Sequence, residues 1–174
     1  LAHDTPNPGT AGATTFDEYR VIMDSFTPEQ LPVLSTLAKS FAVWDAWFCA
    51  VPSQTYCNRS FFHASTSSGY VLNAPHKKWL EFNTAPTIFN RLQDAGRTWR
   101  IYFDPRQIVP LTGLIHAHAL KAYFKTNFRT MENFAADVAA GDLPDYTFIE
   151  PCMAFYHNDF HPPGKRVSDV RAGD

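Results

Sequence analysis

Apolar residues in this chain fall into short blocks set apart by Gly, Pro and polar turns. Phe16, Tyr19, Ile22 and Met23 recur at helical spacing and predict a helix from Phe16 to Phe26. Thr27 opens the next element. Pro28 suits a first helical position, and Gln30 completes a Thr-x-x-Gln capping box. Leu31, Val33, Leu34 and Leu37 would supply its buried face, with Pro32 placed to split it into two turns. From Phe41 to Val51 the chain is apolar almost throughout, which suits a strand buried on both faces of a parallel sheet. Asp45 interrupts that run, either as a strand carboxylate with a local partner or as an orienting carboxylate. Ser60 to Ala64 reads as a helix, Ser65 to Tyr70 as a small-residue loop, and Pro75 to Phe82 as a surface loop or a membrane-touching or substrate-rim segment.

The second half is more regular. Ile88, Phe89 and Leu92 sit at helical spacing between Thr87 and Ala95, Gly96 stops the helix, and Thr98 to Phe103 is a strand. Gln107 to Phe128 lacks a clear period. Thr130 then caps a helix from Met131 to Ala140, with Met131, Phe134, Ala135 and Val138 inward. Gly141 closes it before a strand from Tyr146 to Glu150. Helix, Gly, strand occurs twice, so the expected class is α/β with a parallel sheet. Leu1 to Thr15 is rich in Gly, Pro, Thr and Ala and is expected to be a mobile approach segment to a single domain over 16–174.

Composition narrows the functional classes. The chain has 174 residues, 45% of them hydrophobic and 15% aromatic, enough for a real core. A net charge of −2 gives no general attraction to nucleic acid or an anionic membrane. No apolar run approaches the roughly 18 residues that a membrane-spanning helix needs. The first residue is not Met and no signal-peptide pattern follows, which fits a mature product or a fragment. Cys49, Cys57 and Cys152 have no zinc-like spacing. Small core thiols and a Cys49–Cys57 pair both stay open. On a strand, His116 and His118 would share a face, but no neighbouring carboxylate or thiol completes a metal site there.

The candidate chemistry gathers at Val51-Pro-Ser-Gln-Thr-Tyr-Cys-Asn-Arg59, a polar turn between the apolar run and a helix. Helix starts at such turns offer N–H groups and a positive dipole end to a phosphate. Thr55 adds a hydroxyl and Arg59 a cation that matches two phosphate oxygens at once. A second polar stretch, His157-Asn-Asp-Phe-His161, follows the last strand. Strand ends share one edge of a parallel sheet, so His161 is expected to face Thr55 across a cleft. Asn58-Arg59-Ser60 also forms an N-glycosylation sequon, and a glycan there would block that cleft.

Two blocks carry a resemblance. Thr27 to Arg59, and Asp145-Tyr-Thr-Phe-Ile-Glu-Pro151 with His157-Asn-Asp-Phe-His-Pro-Pro163 and Ser168-Asp-Val170, resemble the phosphoesterase family of phosphatidylcholine-type phospholipases C and related acid phosphatases. The resemblance implies the central portion of an alkaline-phosphatase-like fold, a parallel-sheet three-layer sandwich, with flanking parts of the same domain expected. It implies phosphate-ester hydrolysis with Thr55 as nucleophile and metal ligand and a divalent metal ion as cofactor. It also implies His161 as a second catalytic group. Asn58 and Arg59 fall in its signature turn on the substrate side, with Asp159 placed to orient His161. Glu150 matches as a structural strand-end acid.

The implied substrate is a phospholipid, with an apolar rim from Trp79, Phe82, Tyr102 and Phe103, or a small phosphomonoester. A non-catalytic remnant is the competing class. The resemblance also implies a secreted or periplasmic protein. Two departures stand out. Cys57 replaces the family's Pro after the nucleophile. The family's Glu-Asn-x-Ser-Phe-Asp and Asp-Glu-x-Gly-Gly metal motifs occur nowhere between Leu1 and Asp174. The chain by itself is therefore expected to bind metal poorly and to hydrolyse esters weakly.

Overall fold

A computed structural model describes Phe16 and residues 25–153, 157–160 and 170–174. Most of the helix expected over 16–26, and His161, lie outside the described residues. The chain divides into two compact units, one of residues 1–45 with 153–174 and one of residues 46–152.

In the first unit, α1 (Pro32–Ser40) begins on its proline. The Thr27 N–H donates to Gln30 Oε1 at 2.8 Å, one half of the expected capping box, and Pro32 then starts the helix proper. The other anchor is remote in sequence. Asp174 accepts from the N–H groups of Val33 at 2.8 Å and Leu34 at 2.7 Å, placing an anion on the positive end of α1. Leu31 is buried, but Val33, Leu34 and Leu37 are exposed, so the expected buried face is not formed. The end of α1 is held by charge and hydrogen bonding instead.

The second unit is built on a parallel sheet of β1 (Trp99–Phe103), β2 (Phe128–Thr130) and β3 (Tyr146–Glu150), in the order β2-β1-β3. Ile101 pairs with Phe128 on one side and Phe148 on the other. Alternation along β1 sends Trp99 and Ile101 to one face and Arg100 and Tyr102 to the other. On the first face Trp99 and Ile101 join Phe89 and Leu120 in the core. The helices of this unit are α2 (Thr55–Ala64), α3 (Lys77–Phe82), α4 (Ile88–Asp94), α5 (Leu111–Ile115), α6 (Ala117–Leu120) and α7 (Met131–Ala140), and Phe89 belongs to α4.

On the other face Tyr102 meets Phe134 of α7 with ring centroids 5.1 Å apart. Arg100, Arg129 and the Tyr102 hydroxyl converge on Asp137 of the same helix. Helices thus cover both faces of the parallel sheet, which is the α/β arrangement that the two helix–Gly–strand repeats predict. Gly96 and Gly141 follow α4 and α7 with φ of +67° and +69°, where a side chain would be strained.

Several expectations need correction. Residues 41–51 form no strand: a turn at 45–46 breaks the run, and Phe41, Val43, Trp44, Trp47 and Phe48 are exposed. Apolar content alone does not make a strand, because a strand needs a neighbour for its backbone groups, and no described strand pairs with this run. Residues 75–82 are not a surface loop. They contain α3, which buries Trp79 completely against Cys57 and Ile115. Tyr102 is likewise buried in the core rather than at a rim. His116 and His118 do not share a strand face: His116 is buried between α5 and α6, and His118 is exposed on α6. In α7, Val138 is exposed and Thr130 makes no capping bond, so the helix is held by Phe134 and Asp137.

Candidate functional site

The turn before α2 is fixed by its own side chains. Asn58 Oδ1 accepts the Val51 N–H at 3.0 Å, while Nδ2 donates to the carbonyls of Val51 at 2.9 Å and Ser53 at 3.1 Å. Gln54 Oε1 accepts from Asn73 N–H at 2.8 Å, and Asn73 Oδ1 accepts from Tyr56 N–H at 2.9 Å. Asn73 therefore already satisfies one first-turn N–H that sequence reasoning offered to a phosphate. Asn58, expected on the substrate side, spends its amide on the backbone.

Thr55, Asn58, Arg59, Phe62 and His63 stand at helix positions i, i+3, i+4, i+7 and i+8, a single stripe along α2. With Phe148 of β3 they line one open cleft of about 320 Å³. Thr55 is half-buried at the start of α2, and no hydrogen bond to another described residue holds its hydroxyl. Four residues on, Arg59 reaches away from solvent. Its Nη1 lies 3.2 Å from both Thr112 Oγ1 and Glu150 Oε2, and its Cζ lies 6.0 Å from the Phe148 ring centroid. Phe148 and Glu150 alternate onto the same side of β3, so one strand supplies both the ring and the carboxylate.

His63 closes the stripe. It is 2% exposed, its Nδ1 has no hydrogen-bond partner among the described residues, and its Nε2 lies 3.5 Å from Thr112 Oγ1. Burial pushes its imidazole down to about 3, helped by nearby His116 and Arg59, so it is neutral at neutral pH. His63 went unnoticed in the sequence because nothing local marks it as buried. Its spacing from Thr55 and Arg59 was the available signal.

The cleft thus combines a hydroxyl, a fixed cation, a neutral imidazole and two phenyl rings. That donor set suits an anion with an apolar substituent, held beside an alcohol. It does not fit a divalent cation: the lining offers no carboxylate, the Asn58 amide oxygen is taken by the Val51 N–H, and the Thr55 hydroxyl lies near a guanidinium. Among the described residues no three His, Cys, Asp or Glu side chains converge as a metal site. In the other unit, Asp159 is buried, with its Oδ1 3.2 Å from His157 Nδ1. The expected partnership of Asp159 with His161 falls outside the described residues. Cys57 and Cys152 are buried free thiols, and Cys49 is an exposed one.

Fold and cleft together define a parallel α/β unit with a hydroxyl and an arginine on one helix face. The Phosphoesterase family matches residues 6–173, and the chain belongs to that family. It is 35% identical over 176 residues to non-specific phospholipase C5 of Arabidopsis thaliana, covering 92% of this chain and 32% of that protein. Non-specific phospholipase C3 of the same plant is 35% identical over 148 residues, covering 82% of this chain and 27% of that protein. Phospholipase C B of Mycobacterium tuberculosis (strain ATCC 25618 / H37Rv) is 27% identical over 150 residues, covering 75% of this chain and 29% of that protein. The chain spans about a third of the length of these relatives.

Proposed function

We propose that this chain carries the nucleophile and the phosphate-binding arginine of a phospholipase C-like phosphoric ester hydrolase. The observation that carries this is the shared placement of Thr55 and Arg59, one helical turn apart in a single cleft. The Thr55 hydroxyl releases its proton to solvent water as its oxygen attacks phosphorus in line. A Thr55–phosphorus bond forms as the bond to the glycerol oxygen breaks. The family resemblance assigns His161 the role of giving that leaving oxygen its proton. Water then cleaves the Thr55 ester and releases the phosphorylated head group. Arg59 holds the equatorial oxygens throughout. His63, neutral and buried, contributes shape and polarity rather than charge.

The family resemblance adds a divalent metal, an alkaline-phosphatase-like sandwich and a secreted or periplasmic location to this proposal. No step above runs through the metal, because the donors lining the cleft do not fit one. Phe62 and Phe148 favour an ester with an apolar portion over a small phosphomonoester, the acid-phosphatase alternative. Acid-quenching the chain with phosphatidylcholine or p-nitrophenyl phosphate, then mapping phosphorylated peptides by mass spectrometry, tests the proposal. The expected adduct sits on Thr55 and is absent in Thr55→Ala. An adduct elsewhere, or identical turnover by Thr55→Ala, rejects it.

A further inference from the structure

Glu150 ends β3 and is fully buried. Its carboxylate accepts from the N–H groups of Leu111 and Thr112, the latter at 3.0 Å, from the Thr112 hydroxyl at 2.5 Å, and from Arg59 Nη1 at 3.2 Å. Thr112 Oγ1, also fully buried, sits within reach of both members of the ion pair. A buried carboxylate is costly unless it is paired and hydrogen-bonded, and here both conditions are met.

We propose that Glu150 and Thr112 are positioning residues that pin the Arg59 guanidinium against the cleft wall, so that it meets a phosphoryl group in one fixed orientation. The inference rests on the cleft being a phosphate site, and it names what sets the aim of that site. Arg59 is restrained from three directions. Glu150 and Thr112 hold Nη1, and the Phe148 ring lies beside the guanidinium plane. The surrounding charges agree: His63 in the lining is neutral, and among the described residues Glu150 pairs with Arg59 as an anion. A cation fixed before the ligand arrives loses little freedom on binding, which is how preorganisation raises affinity and catalytic rate. A mobile lysine or an unpinned arginine would lose more.

The experiment uses the full chain with arginine labelled in its side-chain nitrogens, and inorganic phosphate as the probe. Arg59→Lys identifies the Arg59 signals. In the unaltered protein the Arg59 Nη signals should be separate, because rotation of the guanidinium is hindered. Thr112→Val keeps the shape and removes the hydroxyl. It should merge those signals and weaken phosphate binding by about 3- to 10-fold, the loss of roughly one hydrogen bond. Thr112→Ser should restore both, which a purely structural role for the methyl group would not predict. Glu150→Gln should merge the signals as well, while the backbone amide spectrum stays native-like.

Unchanged Arg59 signals and unchanged phosphate affinity in a folded Thr112→Val protein would overturn the proposal. So would failure of Thr112→Ser to restore them. A pinned guanidinium that takes up no phosphate would uphold the positioning and sink the phosphate reading of the cleft, which keeps the two failures apart.

Discussion

Asn58 and Val51 close the turn before α2 as a reciprocal amide pair. The side-chain oxygen takes the Val51 N–H at 3.0 Å, and the side-chain nitrogen gives to the Val51 carbonyl at 2.9 Å. The Asn58→Ala variant leaves both backbone groups without these partners. It should lose about 2–3 kcal/mol of stability, measured by urea unfolding, and should disturb Thr55 without removing it. Asn58→Asp keeps the acceptor and loses the donor, and should not restore the loss. The same pairing bears on the sequon. The Ser60 hydroxyl is fully buried and donates to the Thr66 carbonyl at 2.7 Å. Protein made in a glycosylating host should therefore carry no glycan on Asn58 by intact mass.

Two buried imidazoles set the acid sensitivity of the residue 46–152 unit. Burial holds His63 at about 3, with His116 and Arg59 adding to the shift. Burial also holds His116 at about 4, with Arg59 adding to it. Unfolded histidine titrates near 6.5. Below that pH the unfolded chain binds protons that the folded chain refuses, so stability is full above pH 6.5 and falls as pH drops toward the folded values. Between pH 6.5 and 5 each imidazole should cost about 2 kcal/mol. Unfolding midpoints at the two pH values check this, and His63→Gln should remove part of the slope.

Trp79 is a core residue in a stretch whose composition suggests a loop. It is fully buried, its Nε1–H donates to the Asn73 carbonyl at 2.9 Å, and its ring meets those of Tyr56 and Tyr70 at 5.8 Å and 5.1 Å. Trp79→Ala should destabilise the chain by about 3–5 kcal/mol. Because Asn73 also holds Tyr56 N–H, loosening there should reach the start of α2 and weaken phosphate binding. A thermal scan with a phosphate titration reads both effects.

The four tryptophans should divide cleanly by solvent access. Trp44 and Trp47 are 75% and 71% exposed, whereas Trp79 and Trp99 are 0% and 2% exposed. Acrylamide should quench the first two readily and the second two hardly at all. Replacing both Trp44 and Trp47 by Gln should remove the quenchable fraction, and each single replacement should leave stability within about 0.5 kcal/mol.

What could be read in the sequence was local. α4, Gly96 and β1, then α7, Gly141 and β3, carry their start and stop signals within a few residues, and both repeats are present. The spacing of Thr55 and Arg59 likewise follows from helix geometry alone. β2 has only three residues, too few to show a period of two. The run from Phe41 misled because its hydrophobicity is real, but no described strand pairs with it and its large side chains are exposed. Glu150 reads as a strand-end acid, yet its role depends on Arg59 across 91 residues of chain. No spacing rule connects such a pair.

The sheet is also joined at its opening ends by a polar clasp. Thr98 donates to Asp145 Oδ2 through both its N–H and its hydroxyl, each at 2.8 Å, and Asp145 N–H returns a bond to the Thr98 hydroxyl at 2.9 Å. These partners are 47 residues apart. Parallel strands cannot zip outward from a tight hairpin, so a long loop must close before that clasp can form. The entropy of that closure falls early, before most contacts repay it, and it places this unit among the slower folders, on a timescale of roughly milliseconds to seconds.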